Sequence, residues 1–239
     1  MVLPLSDDNP LEGITHAYVT WALIAINLAV FLLLQHGLGD EVDVASAFSF
    51  GTVPVVLTGG AVLPEGYALV PAPLTLLTYM FLHSGWSHLI GNMAFLWVFG
   101  DNVEDALGHA RFLAFYLVCG VAGGLAHSLA LPASDVPLVG ASGAVSGVVA
   151  AYLMLHPNVK LWVLVAMRIP LRVPAIWPLG GWIGFQFWSV ATSTGEDTAW
   201  WTHISGLAVG AVLVVFLRRR GVALWVRTPD GSSPPAPGG

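Results

Sequence analysis

Serine, histidine and asparagine residues stand at three points in otherwise apolar stretches of this sequence, and together they could carry out acyl transfer. The first point is the motif Gly140-Ala141-Ser142-Gly143, a glycine-rich turn followed by an apolar run that predicts a helix. Ser142 therefore lies at or near a helix N-terminus, where free backbone N–H groups and the helix dipole stabilise a developing oxyanion. The motif is also typical of an ordinary helix cap, so it indicates a nucleophile only if a base lies nearby.

His203 is the candidate base, and it lies near the start of another apolar run, in the stretch WTHISG. Helical spacing places His203, Gly206 and Gly210 on one face. Two small residues four apart let helices approach closely, and the helix of the candidate serine offers its own pair, Gly143 and Gly147. Close packing of the two helices is expected to bring the serine hydroxyl within hydrogen-bonding reach of the His203 imidazole, as a general base requires.

His88 and Asn92 form the third group, in the stretch HSGWSHLIGN. Their i, i+4 spacing puts both side chains on one helical face, at the same predicted depth as the serine and His203. Polar side chains in membrane helices often serve only as hydrogen bonds between helices. The coincidence of three polar groups at one depth favours a site over that alternative.

Other chemistries find no support in the sequence. No HExxH motif is present, which disfavours a zinc protease, and we expect neither a metal nor a cofactor. An aspartyl membrane protease needs two Asp at membrane depth, whereas Asp101, Glu104 and Asp105 are predicted to form a solvated helix end. The single cysteine, Cys119, cannot form an intrachain disulfide and is interpreted as a small buried hydrophobe.

The elements that position these residues must be membrane helices. The 239 residues are 56% hydrophobic and only 9% charged. Such a chain is too apolar for one soluble core. A membrane helix needs about 20 apolar residues, and the stretch after the serine is short by that measure. We predict six spans, separated by a long extracytoplasmic loop from Gln35 to Ala72 and a surface loop from His156 to Val173. The spans are 17–34, 74–99 (or from 88), 112–131, 142–155, 174–190 and 199–217.

The basic residues predict the orientation of these spans. All eight follow span two, four or six, whereas the opposite loops carry only acids, so the positive-inside rule places both termini in the cytoplasm. Residues 1–16 would form a cytoplasmic tail, 17–217 the helical domain and 218–239 a basic tail that is disordered from Thr228. The basic residues are Arg111, Lys160, Arg168, Arg172, Arg218, Arg219, Arg220 and Arg227.

The ordered set of motifs from Leu74 to Leu217 resembles the rhomboid family of intramembrane serine proteases. The matching features are the serine motif at Ser142, the histidine–asparagine pair, the last-span histidine with two glycines, a preceding histidine and an ExxxGxxxF stretch. Two positions depart from the family pattern: Val70-Pro71-Ala72-Pro73 replaces a Trp-Arg pair, and Ser146 replaces a tyrosine. The matched residues are His83, His88, Asn92, Glu104, Gly108, Phe112, Ser142, His203, Gly206 and Gly210.

The resemblance implies an all-α membrane protein, a six-helix rhomboid-like bundle whose short fourth helix starts at the catalytic serine. It also implies a Ser142–His203 dyad, and an oxyanion hole formed by Asn92, His88 and the Ser142 backbone N–H. His83 and four glycines would have structural roles near this site: Gly140, Gly143, Gly206 and Gly210.

The partners that the resemblance implies are single-span membrane protein substrates and membrane lipids, with no nucleic acid. The sequence does not indicate the oligomeric state. The predicted location is a bacterial cytoplasmic membrane, with the site open to the extracytoplasmic side.

Two other functions share parts of this pattern. A noncatalytic rhomboid-like protein that binds membrane clients would usually lack the serine or the histidine, and this chain has both. A transporter or channel would be expected to show internal repeats or charges at the middle of its spans, and neither is evident.

Overall fold

The apolar runs of the sequence form helices. The computed structural model describes residues 2–35, 40–165, 168–192 and 199–225. The predicted disordered tail from Thr228 lies outside the described residues. In chain order the helices are α1 (Tyr18–Val30, extended as a π-helix over Phe31–Gln35), α2 (Asp40–Phe50), α3 (Pro54–Leu57), α4 (Ala72–Thr78, followed by a 3₁₀ turn over Tyr79–Phe81), α5 (Trp86–Leu107), α6 (His109–Ala130), α7 (Ser142–Leu155), α8 (Ile176–Thr192) and α9 (Trp200–Leu217).

Within the described residues, three helices are long and apolar enough to cross a membrane: Tyr18–Gln35, His109–Ala130 and Trp200–Leu217. They agree with the predicted first, third and sixth spans. Helix α5 has 22 residues but is not among the three, because its polar side chains lower its mean hydropathy. The count of six spans therefore stays a prediction.

A three-stranded antiparallel sheet is the main departure from the predicted all-α fold. Strand β1 is Val2–Asp7, β2 is Lys160–Val165 and β3 is Ile169–Pro174, in the order β1-β2-β3. The predicted surface loop after His156 is thus largely a hairpin, and part of the predicted N-terminal tail is its third strand. The β-branched and aromatic residues of LWVLV favour a strand once a partner edge is available.

The long predicted loop between the first two spans also contains structure, namely α2 and α3. Its backbone is paired with the loop that precedes α7. Thr52 N–H donates to the Leu138 carbonyl over 3.1 Å and Leu138 N–H returns the bond over 2.8 Å, while Val55 N–H donates to the Ser134 carbonyl over 2.9 Å. The segment therefore holds the approach to Ser142 in place.

Helix α7 lies at the centre of the bundle. All its residues from Gly143 to Tyr152 are buried, as expected of a helix that is apolar on every side. The helix has 14 residues. A helix of that length rises about 21 Å, which is less than the roughly 30 Å of a bilayer core. Because α7 is shorter than the helices around it, space remains between those helices beyond its first residue.

Helices α5, α7 and α9 run in the same direction. Near their first turns, the His88 ring of α5 lies against Gly140, just before α7. Near the other ends, the rings of Phe99 on α5 and Tyr152 on α7 are 4.7 Å apart. Gly206 and Gly210 of α9 meet α7 in ascending order, as described below. The N-termini of the three helices therefore lie at one end of the bundle.

At the opposite end of the bundle, carboxylates are hydrogen-bonded to groups of the protein instead of facing solvent. The predicted solvated position of Glu104 is wrong, because its side chain is fully buried. It accepts hydrogen bonds from the backbone N–H groups of Val19 and Thr20 (3.0 and 2.8 Å) and from the Thr20 hydroxyl (2.7 Å). It thus caps the N-terminus of α1, where free N–H groups and the helix dipole favour a negative charge.

Candidate active site

Ser142 is the first residue of α7, and its side chain is half-buried. The residue before it, Ala141, has no side chain that could cap the helix. The hydroxyl of Ser146, one turn later, donates to the Ser142 carbonyl over 2.6 Å. Ser146 therefore points along its own helix, and it does not fill the role of a tyrosine against the His203 ring.

The turn before Ser142 requires glycine. Gly140 has a φ of +126°, in a region that L side chains rarely adopt. A Cβ at this position would also lie 2.6 Å from Cε1 and 2.7 Å from Nε2 of His88. The Gly140 N–H is held by the Tyr79 carbonyl at 2.9 Å. Backbone conformation and close approach to His88 thus both explain the glycine.

His203 is the fourth residue of α9 and is half-buried. Its Nδ1 lies 2.8 Å from Oε1 of Gln186 on α8. Two indole rings flank the imidazole, Trp182 at 6.1 Å between centroids and Trp200 at 6.0 Å. The ring is therefore fixed by a hydrogen bond and an aromatic contact from α8, and by the Trp200 ring of its own helix.

Glycines allow α7 and α9 to touch backbone to backbone. A Cβ at Gly206 would overlap the Gly143 carbonyl oxygen, and a Cβ at Gly210 would lie 2.5 Å from the Gly147 Cα. A Cβ at Gly143 itself would lie 2.7 Å from a methyl group of Thr202. The two pairs therefore make the close helix contact that their spacing predicts.

His88 and Asn92 lie on the first turns of α5, and both side chains face the start of α7. The backbone N–H of Ser84 points at Nδ1 of His88 over 3.4 Å. Because an N–H can only donate, the His88 proton belongs on Nε2. Asn92 Nδ2 donates one hydrogen to the His88 carbonyl over 3.1 Å and keeps a second one. Each residue thus has a donor to spare.

His83 is buried, and its ring lies 5.1 Å from the ring of His88. Its backbone is bound on both sides by the side chain of Gln35, which donates to the His83 carbonyl over 2.9 Å and accepts from its N–H over 2.7 Å. His83 therefore supports the position of His88 without facing the serine cavities.

Two adjoining cavities bring the candidate residues together. One of about 370 Å³ and one of about 210 Å³ are both lined by Ser142, His203 and His88, and the smaller one also by Asn92. In the part of the chain that the structure describes, no Asp, Glu, Lys or Arg lines either cavity. Within the described residues, no direct hydrogen bond joins the Ser142 hydroxyl to the His203 ring, so that contact stays a prediction.

A larger, apolar cavity of about 720 Å³ adjoins the site between α5 and α8. Its walls include Phe95, Phe99 and Trp182, and it reaches both Gln186 and His203. It is also lined by residues of the sheet, namely Leu161, Val163 and Pro4. A chain segment in this cavity would therefore reach the candidate base from between α5 and α8.

Gln186 is the site residue that sequence reasoning missed. It is an amide within an otherwise apolar predicted span, where any polar side chain is a functional candidate. The signal was present, but no motif connected Gln186 to His203 across the stretch of chain that separates them. In the described part of the chain, no group of three or more His, Cys, Asp or Glu is arranged to hold a metal ion.

Residues 72–220 match the Rhomboid domain family model. The chain is 32% identical over 159 residues to Rhomboid-like protein 11, chloroplastic, of Arabidopsis thaliana, covering 64% of this chain and 55% of that protein. It is 28% identical over 203 residues to Rhomboid protein 1, mitochondrial, of Saccharomyces cerevisiae, covering 81% and 51%. It is 32% identical over 134 residues to Rhomboid protease GluP of Bacillus subtilis, covering 56% and 24%.

The chain thus spans about half the length of the first two relatives and about a quarter of the third. The family model covers well over half of this chain, including the N-terminal ends of α5, α7 and α9. Together with the apolar helices, it identifies an integral membrane protein. The chain belongs to the rhomboid family.

Proposed function

We propose that this chain is an intramembrane serine endopeptidase that cleaves single-span membrane proteins through Ser142 and His203. The observation that carries the proposal is the shared lining of two polar cavities by Ser142, His203 and His88. A hydroxyl, an imidazole and a spare N–H donor around one space are the parts that acyl transfer needs. The similarity to a protein named a rhomboid protease supports the same chemistry.

In the proposed reaction, His203 takes the proton of the Ser142 hydroxyl as its oxygen attacks a peptide carbonyl. The negative charge of the tetrahedral intermediate is met by the Ser142 backbone N–H, the second hydrogen of Asn92 Nδ2 and the Nε2–H of His88. The C–N bond then breaks as His203 returns the proton to the leaving amine. Water, again deprotonated by His203, hydrolyses the acyl-enzyme.

The substrate would enter from the lipid through the apolar cavity between α5 and α8. Its lining is almost entirely apolar and aromatic, which suits a transmembrane segment, and it leads to His203. The segment must unwind at the cut, because an intact helix hides its carbonyl groups in hydrogen bonds. We further propose that both termini face the cytoplasm of a bacterial cell, with the serine cavities opening on the other side.

The distribution of charges supports this orientation. Arg172 pairs with Asp8 beside the sheet, and Arg219 pairs with Asp105 at 3.2 Å, at the end of the bundle opposite Ser142. Basic residues gather on the cytoplasmic side of membrane proteins. The serine cavities lie at the other end, where none of the described lining residues is a lysine or an arginine.

A fluorophosphonate probe and a cleavage assay test the proposal together. The chain in proteoliposomes is expected to react with the probe at Ser142 and to cleave a single-span reporter. Ser142→Ala and His203→Ala should lower cleavage at least about 1000-fold. Ser146→Ala, which removes a hydroxyl one turn away, is the matched control and should retain cleavage within a few-fold.

Undiminished cleavage by Ser142→Ala would contradict the proposal. Binding of the reporter without any Ser142-dependent cleavage would instead indicate a noncatalytic rhomboid-like protein. Uptake of small solutes that does not depend on Ser142 would indicate a transporter.

A further inference from the structure

The hydrogen bond between Gln186 and His203 connects two helices at the candidate base. Gln186 lies on α8 and is only 2% exposed, whereas His203 lies on α9. The two atoms joined at 2.8 Å are the Gln186 side-chain oxygen and the His203 Nδ1. An amide oxygen only accepts, so Nδ1 must carry the proton and Nε2 must be the lone-pair nitrogen.

Within the described residues, Gln186 is the one group that hydrogen-bonds the His203 ring. Ser146, one turn after the serine, donates to the backbone of its own helix. The indoles of Trp182 and Trp200 contact the ring but can only donate, so they cannot accept the Nδ1 proton. Among the described residues that line the cavities around the imidazole, none is a carboxylate.

We infer that Gln186 is the positioning residue of the His203 base: its side-chain oxygen holds the Nδ1 proton and leaves Nε2 free to take the proton of Ser142. The inference rests on the proposed function. A neutral amide fixes the tautomer and the ring orientation, as the buried aspartate does in a Ser-His-Asp triad, but it adds no charge. The site then works as a dyad oriented by an amide.

The bond also gives α8 a role in the reaction. Gln186 lines the apolar cavity between α5 and α8 together with His203, so a substrate segment that enters there meets the residue that holds the base. The position of α8 and the orientation of the imidazole are thus linked through one side chain.

Two substitutions separate hydrogen bonding from packing. Gln186→Met keeps the length and flexibility of the side chain but removes the acceptor. Gln186→Glu keeps the acceptor and adds a charge. Ser189→Ala, another buried polar position on α8, is the control for general effects on that helix.

The cleavage assay should give distinct results for the two variants. Gln186→Met is expected to lower kcat at least about tenfold with little change in KM, because the wrong tautomer presents a proton instead of a lone pair. Gln186→Glu should recover most of that loss above neutral pH. Its carboxylate stabilises the imidazolium, so the acidic limb of kcat/KM should move to higher pH by about one unit or more.

A shift in the acidic limb of the kcat/KM profile can be assigned to Gln186→Glu, because few other charged groups face the His203 ring. The titratable groups that affect His203 are His88 on α5 and His127 on α6, and neither is changed by these substitutions. A packing role for Gln186 would leave the limb in place and would make Met and Glu equivalent. Equal kcat for Gln186→Met and the unaltered chain would overturn the inference.

A measurement that does not depend on cleavage distinguishes this inference from the proposed function. Imidazole ¹⁵N shifts in the histidine-labelled Ser142→Ala chain, with His203→Ala for assignment, report which nitrogen carries the proton. A proton on Nδ1 that is lost in Gln186→Met supports the positioning role even if no reporter is cleaved. A proton on Nε2 in the chain with Gln186 intact overturns it, even if cleavage proceeds through Ser142.

Discussion

The two ends of the α5, α7 and α9 bundle both contain polar side chains, but they use them differently. At the N-terminal end, Ser142, His88 and Asn92 each keep hydrogen-bonding capacity that faces a cavity. At the other end, Glu104 and Asp105 are saturated by donors from α1, its preceding residues and Arg219. A polar residue in a membrane helix is therefore not a site by virtue of polarity alone. A reactive group differs from a structural one because it keeps unused hydrogen-bonding capacity beside a cavity.

This comparison predicts that changes at the first end affect cleavage and changes at the second affect stability. The glycine contact between α7 and α9 should affect both, because it sets the separation of Ser142 and His203 and also packs the core.

Gly206→Ala should lower both stability and cleavage. The added Cβ overlaps the Gly143 carbonyl oxygen, so α7 and α9 must move apart. Overpacking of this kind costs about 1 to 3 kcal/mol, and the displaced His203 should lower kcat by about 100-fold. Thermal unfolding in detergent and reporter cleavage measure the two effects. Gly184→Ala on α8, where a Cβ meets no atom within 4 Å, is the control, and equal behaviour of the two variants would argue against the contact.

Glu104→Ala should destabilise the chain, because it leaves the buried N–H and hydroxyl of Thr20 and the partly buried N–H of Val19 without an acceptor. The expected loss is about 3 kcal/mol, and the unfolding midpoint measures it. Cleavage per folded molecule should be unchanged, since Glu104 is at the far end from the serine. Glu12→Ala, which removes an exposed acid at the same end, should have little effect. A loss of kcat without a loss of stability would break the comparison.

Asn92→Ala should lower kcat by about 100-fold, or nearly 3 kcal/mol of transition-state stabilisation, with little change in KM or unfolding midpoint. Asn27→Ala is a matched control, because Asn27 makes the same kind of bond to a carbonyl one turn earlier, at 2.8 Å, on a helix away from the cavities. Equal cleavage by the two variants would remove Asn92 from the oxyanion hole.

Asp7→Asn should flatten the pH dependence of stability at the sheet end. Burial raises the pKa of Asp7 to about 7, although the Tyr152 hydroxyl donates to its carboxylate. Because the folded chain holds this proton more tightly than the unfolded chain, stability is highest below about pH 4 and falls as pH rises toward 7. Unfolding midpoints between pH 5 and pH 8 should therefore decline in the unaltered chain and decline less in Asp7→Asn, with Asp8→Asn as the control.

Much of the candidate site could be predicted from spacing alone. A serine at the start of an apolar run, a histidine with glycines three and seven residues later, and a histidine–asparagine pair are local patterns. Helical periodicity then determines which face each residue occupies. The glycine contacts between α7 and α9 follow from the same periodicity, because only backbone can fill the space between two small-residue faces.

Other features depend on residues far apart in the chain and left no local pattern. Strand β1 forms because the hairpin of β2 and β3, from the other half of the sequence, offers it an edge. The local sequence around Glu104 predicts a solvated acid, because its hydrogen-bond donors come from α1, which is distant in the chain. Gln186 became a candidate partner of His203 only when α8 was packed against α9.

The sequence by itself determined which residue types stand at which helix ends, since the number of residues per helical turn is a local property of the backbone. Only the tertiary structure decided which polar groups are satisfied and which remain available, because that depends on donors brought from distant segments. The His203 imidazole is hydrogen-bonded to an amide of the neighbouring helix, and only packing brought the two together.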